Sequence, residues 1–94
     1  MTAEQYIIEQ LNFFLQQQNI KDIDVILQKT KDKKFGDFAS NLAMQLARHL
    51  KKKPLTIAEE IRETFKPDAS YVSKIEIAGP GFLNFFAATD NLFI

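Results

Sequence analysis

Phe82 and Asn84 stand two residues apart just beyond a Gly79-Pro80-Gly81 corner, and their types and spacing suit non-covalent recognition. A phenyl ring offers a face for stacking, and a carboxamide presents a donor and an acceptor side by side. In an extended segment, alternate residues share a face. Phe82, Asn84 and Phe86 would then lie on one side of a strand, and Leu83, Phe85 and Ala87 on the other. An all-apolar face backing one with an amide between two rings reads as a core side and a recognition side. Nucleobases can be held by that pairing of stacking and edge hydrogen bonding. In the competing structural reading, Phe82 and Phe86 pack beneath a following element and Asn84 bonds a turn.

The elements that must position these residues follow from pattern. Ile75 to Phe85 reads as two short strands meeting at a stiff corner, because Pro80 fixes its own φ while Gly79 and Gly81 admit angles other residues resist. The strands are expected over Val72 to Ala78, where Lys74 and Glu76 alternate with Ile75 and Ile77, and over Phe82 to Ala87. A third, at Asp24 to Gln28, is expected to pair with them. Thr2 and Gln5 have capping-box spacing ahead of a stripe of Ile7, Leu11, Phe14 and Leu15, predicting a helix over about residues 3–18. A second helix is expected from Phe38 through Leu42, Leu46 and Leu50, with Asp37 or Ser40 as its cap and an alanine row (Ala39, Ala43, Ala47) for close packing. Pro54 opens a third, with Ile57, Ala58, Ile61 and Phe65 as its buried face and Lys66-Pro67-Asp68 ending it. The order α-β-α-α-β-β predicts an α+β fold, a small antiparallel sheet with helices packed on one face. No repeat or linker divides residues 1–94, which read as a single domain.

Composition narrows the function. A chain of 94 residues with 46% hydrophobic content and nine Phe can build one core, burying about 60–65% of its unfolded surface. With no cysteine there is no disulfide framework or Cys-based zinc site, which fits a reducing cytoplasm. No apolar run is long enough to span a membrane and no leader pattern opens the chain, so a soluble cytoplasmic protein is expected. Twelve basic and twelve acidic residues cancel, whereas a stand-alone RNA binder is more often basic. The charge is clustered, with Lys29, Lys31, Lys33 and Lys34 in one loop and Arg48, Lys51, Lys52 and Lys53 in another. These are either solvated loop and helix-end charges, the latter favoured by the helix dipole, or phosphate contacts.

Catalytic constellations are missing. His49 is the single histidine and has no Cys or Ser partner for a nucleophilic triad. Glu59 and Glu60 are adjacent on a helix and point apart. Gly79-Pro80-Gly81 does not fit the GxxxxGK[ST] phosphate loop. The chain itself is expected to catalyse nothing and to hold no metal.

Three blocks, Lys34-Phe35-Gly36-Asp37-Phe38-Ala39-Ser40-Asn41, Pro54-Leu55-Thr56-Ile57-Ala58-Glu59-Glu60 and Ser73 to Asn84, closely resemble the N-terminal domain of bacterial arginyl-tRNA synthetases in order and spacing. The resemblance covers nearly the whole chain. It implies an accessory domain that reaches the elbow of an arginine-specific tRNA and contacts its D-loop, with Phe82 and Asn84 at the positions that meet a protruding nucleotide. Some members carry Tyr at the first position, so Phe82 keeps the stacking surface and lacks a hydroxyl. The resemblance also implies class I chemistry elsewhere in the parent, since neither the His-x-Gly-His signature nor the Lys-Met-Ser-Lys-like loop is present. ATP with Mg2+ is thus implied for the parent enzyme and no cofactor for this part. Lys34, at a helix N-terminus that could meet a tRNA phosphate, and Asn41 are further candidate tRNA contacts. Gly36 and Asp37 are equally readable as a turn and a cap. Further expectations are a monomer, and a chain that is the first part of a longer protein, because Asn91-Leu92-Phe93-Ile94 begins a new apolar segment that Thr89 or Asp90 could cap. The catalytic domain of that parent would be its second partner. The rival from another class is a protein–protein or interdomain module docking through the Phe-rich face.

Overall fold

The computed structural model describes residues 2–65 and 70–88, the Lys33 side chain excepted. The expected roles of Lys66-Pro67-Asp68 and of Thr89, Asp90 and Asn91 to Ile94 lie outside the described residues. There are three helices among the described residues, and the first and third meet their sequence patterns closely. In α1 (Ala3–Gln17), Thr2 Oγ1 accepts the Gln5 N–H at 3.1 Å while Gln5 Oε1 accepts the Thr2 N–H at 2.9 Å, the reciprocal box the spacing predicts. Ile7, Leu11, Phe14 and Leu15 are all buried. α3 (Pro54–Thr64) begins with Pro54 in its first turn and buries Ile57, Ala58 and Ile61, with Phe65 buried just beyond. Between them, α2 (Leu42–Leu50) buries Leu42, Ala43 and Leu46.

The strands are β1 (Gln28–Lys29), β2 (Phe38–Ser40), β3 (Val72–Ala78) and β4 (Phe82–Ala87). They form one antiparallel sheet in the order β1-β2-β4-β3. β4 is interior, with β2 on one side and β3 on the other. Its odd-numbered residues Leu83 and Phe85 are fully buried in the cluster formed with the three helices. Their cross-strand neighbours on the same face are Ser40 and Phe38 of β2 and Ile77 and Ile75 of β3. The helices therefore cover this face, in the α+β arrangement expected.

Two expectations are corrected. Residues 38–40 were expected to begin the second helix; they form β2, and α2 starts at Leu42. Pairing with β4 overrides a helical period that continues unbroken in the sequence. Asp24 to Gln28 was expected to be a strand beside β3 and β4; only Gln28 and Lys29 pair, and they pair with β2. The register sets Leu27 opposite Ser40, the last residue of β2, so residues 24–26 run past the end of that strand. Val25 and Leu27 nevertheless turn toward the core, which accounts for the β-like alternation there.

Asp37 is not the cap of α2, another correction. Asn41 is the N-cap residue, and Ser40 Oγ accepts the Leu42 N–H at 3.1 Å. Asp37 instead closes the end of β4. Its N–H donates to the Phe85 carbonyl at 2.8 Å, and its carboxylate Oδ2 accepts the Ala87 N–H at 2.8 Å. Its own carbonyl accepts the Thr30 N–H at 3.2 Å. Gly36 makes this approach possible. Its φ is +86°, and a Cβ there would stand 2.7 Å from the Phe85 carbonyl oxygen, inside any tolerable contact. The Gly36 carbonyl also accepts from the Thr30 hydroxyl.

Gly36→Ala should lower unfolding stability by roughly 2 kcal/mol or more, since a strained left-handed residue and a backbone clash coincide. Asp37→Ala should cost about 1–3 kcal/mol by leaving the Ala87 N–H without its acceptor, and Asp37→Asn should cost less. Urea midpoints at unchanged m value would measure both. A loss confined to α2 helicity in Asp37→Ala would restore the capping role.

Candidate nucleic-acid interface

The face of the sheet away from the helices carries Gln28 from β1, Ala39 from β2, Phe82, Asn84 and Phe86 from β4, and Lys74 and Glu76 from β3. Asn84 is the centre, directly opposite Ala39 on one side and Glu76 on the other. Phe82 and Asn84 are separated by two strand residues, about 6.7 Å, so one planar group stacked on the ring reaches the amide with its edge. The two residues share a face, as their alternation predicts.

Their environments differ. Phe82 is 40% exposed, a large aromatic surface left to solvent. Asn84 is only 6% exposed, because its neighbours along and across the strands flank it. Even so, its side chain makes no hydrogen bond among the described residues, and none of their buried side-chain nitrogen or oxygen atoms lacks a partner. The amide therefore retains contact with solvent. The small Ala39 beside it leaves that access open. A low-lying amide next to an exposed ring gives this face a recess, and the amide at its base is unpaired among the described residues. The reading in which Asn84 bonds a turn finds no such bond here.

Phe86 is already covered. Lys74 Nζ lies 4.5 Å from its ring centroid and 3.2 Å from Glu76 Oε2. This half of the face is closed by its own cation and carboxylate.

The corner is held from behind. Gly79 and Gly81 have φ of +57° and +142°, and the Gly81 N–H donates to the Ala78 carbonyl at 3.3 Å. A Cβ on Gly81 would come within 3.0 Å of Pro54 Cβ and 3.1 Å of its carbonyl. The Gly79-Pro80-Gly81 corner thus rests on the first residue of α3, and Phe82 leaves it in a fixed direction.

The other candidates separate. Asn41 directly follows Ser40, which pairs with Leu83, so it lies at the Phe82 end of the sheet. Its Oδ1 accepts from Gln45 Nε2 at 2.7 Å. Lys34 lies elsewhere. It belongs to the short 3-10 turn Lys33–Phe35 leading into β2, at the Ala87 end of β4. There Lys34 Nζ sits 3.6 Å from Asp32 Oδ2 and 5.4 Å from the Phe35 ring centroid. The structure does not bring Lys34 together with Phe82 and Asn84.

The basic turn between α2 and α3 leads into Pro54 and so lies near the Gly79-Pro80-Gly81 corner, a proximity that sequence separation conceals. His49, near the end of α2, is exposed beside Arg48. No group of three or more His, Cys, Asp or Glu among the described residues could hold a metal ion. No helix among them is long and apolar enough to cross a membrane.

Asn84→Ala should shift the unfolding midpoint by no more than about 0.5–1 kcal/mol, because no intramolecular hydrogen bond is removed. A loss above about 2 kcal/mol in a urea titration would mean that the amide serves the fold.

Comparison with known proteins gives a consistent picture. The family model described as "Arginyl tRNA synthetase N terminal domain" matches residues 2–87. The arginine–tRNA ligase of Oceanobacillus iheyensis is 55% identical over 69 residues, covering 73% of this chain and 12% of the relative. That of Shouchella clausii is 58% identical over 62 residues, or 66% and 11% of the two chains. The chain thus matches about an eighth of the length of these relatives. Among solved structures, Thermus thermophilus arginyl-tRNA synthetase superposes with a TM-score of 0.74 at 24% identity, over 94% of this chain and 14% of that one. That likeness establishes the fold.

Proposed function

The chain belongs to the arginyl-tRNA synthetase N-terminal domain family, and from that premise we propose that it docks the elbow of an arginine-specific tRNA, with Phe82 stacking on a protruding D-loop nucleotide and Asn84 reading its edge. The observation that carries this is the recess on the helix-free face. An exposed ring and an amide with no hydrogen-bond partner among the described residues lie one base-width apart on an interior strand. Asn41, at the same end of the sheet, is a secondary polar contact. Lys34 contributes at most a distant charge, since it stands at the opposite end and faces Asp32.

The mechanism is positional. Binding energy gained at the elbow holds the tRNA so that its acceptor end reaches an active site in the parent's catalytic domain. Such remote energy speeds a reaction only where it improves alignment in the transition state. tRNA and that catalytic domain are the partners in this reading. ATP and Mg2+ act in the parent beyond these residues, and the site of action is the cytoplasm. Removal of residues 1–94 from the parent should therefore depress tRNA charging far more than ATP-dependent arginine activation. Equal loss of both activities would refute the positional role.

The direct test is an NMR titration of the isotope-labelled chain with an arginine tRNA transcript at low salt. Shifts should centre on Phe82 and Asn84. Phe82→Ala should weaken binding by roughly 1–3 kcal/mol, the scale of one base–aromatic stack, and Asn84→Ala by about 0.5–1.5 kcal/mol. No localised shifts at high tRNA concentration would leave the face to apolar docking of another protein domain, which responds little to salt.

A further inference from the structure

The contact between Gly81 and Pro54 joins two parts of the chain that sequence keeps apart. Phe82 is one residue after that contact on one side, and Lys53 is one residue before it on the other. The turn between α2 and α3, residues 51–53, therefore adjoins the corner from which Phe82 leaves. Its three lysines are not equivalent. Lys52 Nζ pairs with Glu60 Oε2 at 3.0 Å. Lys51 and Lys53 are exposed and form no ion pair among the described residues. Lys51 holds a left-handed backbone, φ +53°, as the C-terminal cap of α2, and Lys53 is the N-cap residue of α3 without a side-chain capping bond. Both are thus fixed at the backbone and free at the ammonium group.

We propose that Lys51 and Lys53 grip the sugar-phosphate backbone flanking the nucleotide seated on Phe82, so that the α2–α3 turn is the phosphate-binding half of the interface. This rests on the RNA-docking reading above and extends it to residues outside the sheet. A nucleotide's phosphates are joined to its sugar and flank the base on both sides along the strand. A base stacked on Phe82 therefore brings flanking phosphates within range of long side chains around the corner that this turn abuts. Charge complementarity favours the same occupant, because two unpaired cations stand beside a stacking surface in a chain whose net charge is zero. The lysine-rich loop around residues 29–34 is no substitute. It joins β1 to β2 at the Ala87 end of β4, about 16 Å along the strand from Phe82 at roughly 3.3 Å per residue.

The test is the salt dependence of binding to an arginine tRNA transcript, measured by fluorescence anisotropy. Four forms of the chain are compared: wild type, Phe82→Ala, Lys51→Asn with Lys53→Gln, and Lys29→Gln with Lys31→Gln. Asparagine is chosen at position 51 because it tolerates the left-handed backbone. Neutralising one phosphate-binding cation lowers the slope of log K against log salt by about 0.7–0.9. The Lys51/Lys53 variant should therefore reduce that slope by about 1.5, and the Lys29/Lys31 variant should keep the wild-type slope. Phe82→Ala should weaken binding about equally at every salt concentration. Equal slope changes in the two lysine variants would overturn the proposal in favour of diffuse attraction. An unchanged slope for Lys51/Lys53, with binding still weakened by Phe82→Ala, would overturn it and leave the RNA-docking reading intact. Absence of wild-type binding, or binding indifferent to Phe82→Ala, would overturn both.

Discussion

Everything on the sheet depends on how the backbone of β4 is held. It is an interior strand, and on its β2 side the pairing stops at Phe85; Gly36 and Asp37 continue the contact from there, while β3 pairs the other side as far as Ala87. The Asp37 N–H and carboxylate bond Phe85 and Ala87 in turn, across 50 positions of sequence. The approach requires a residue without a Cβ at position 36. This clamp fixes the register of β2 on β4. A slip of one residue would exchange the two faces of the strand, sending Asn84 into the helices and Phe85 into water. Core and recess are thus two consequences of one alignment.

That alignment was only partly legible in the sequence. Helical stripes were plain, because Ile7, Leu11, Phe14 and Leu15, or Ile57, Ala58 and Ile61, repeat at a spacing that needs no knowledge of partners. The hairpin was plain too, since glycine and proline mark its corner and alternation marks its arms. Strands formed by remote pairing were not. Phe38 to Ser40 continues a helical period into α2, and only the neighbouring β4 makes it a strand. Asp37 has a helix-capping residue's chemistry and directs it to a distant N–H. Its type was readable and its partner was not. The same limit applied to the site. Phe82 and Asn84 could be assigned to one face by counting. Lys34 was singled out from the Lys34–Asn41 block and the residue 51–53 turn only as a charge cluster; which of them lies near the corner before Phe82 depends on the Gly81–Pro54 contact, which no sequence pattern announces.

The recess achieves its polarity at small cost. A buried amide without a partner would be destabilising. Asn84 avoids this by keeping its polar atoms in touch with solvent although the residue is only 6% exposed, with Ala39 on one side and Glu76 on the other. Phe82 remains exposed because the corner before it is braced on Pro54, so no further packing is needed to hold its direction. The opposite end of the same face shows the alternative outcome, where Phe86 is capped by Lys74 and Glu76. One strand therefore presents both a covered aromatic and an open one.

The sheet order also decides which strands are left with free backbone edges. β1 is two residues long, too short to template another chain. β3 is longer, yet its pairing with β4 shifts register between Val72 and Lys74, where Ser73 is set out of line and its hydroxyl bonds the Phe86 carbonyl. A bulge at the start of an edge strand, followed by a charged pair at Lys74 and Glu76, denies an incoming strand both an even ladder and an apolar surface. The longer of the two sheet edges is thereby guarded against strand addition by its own backbone and charges.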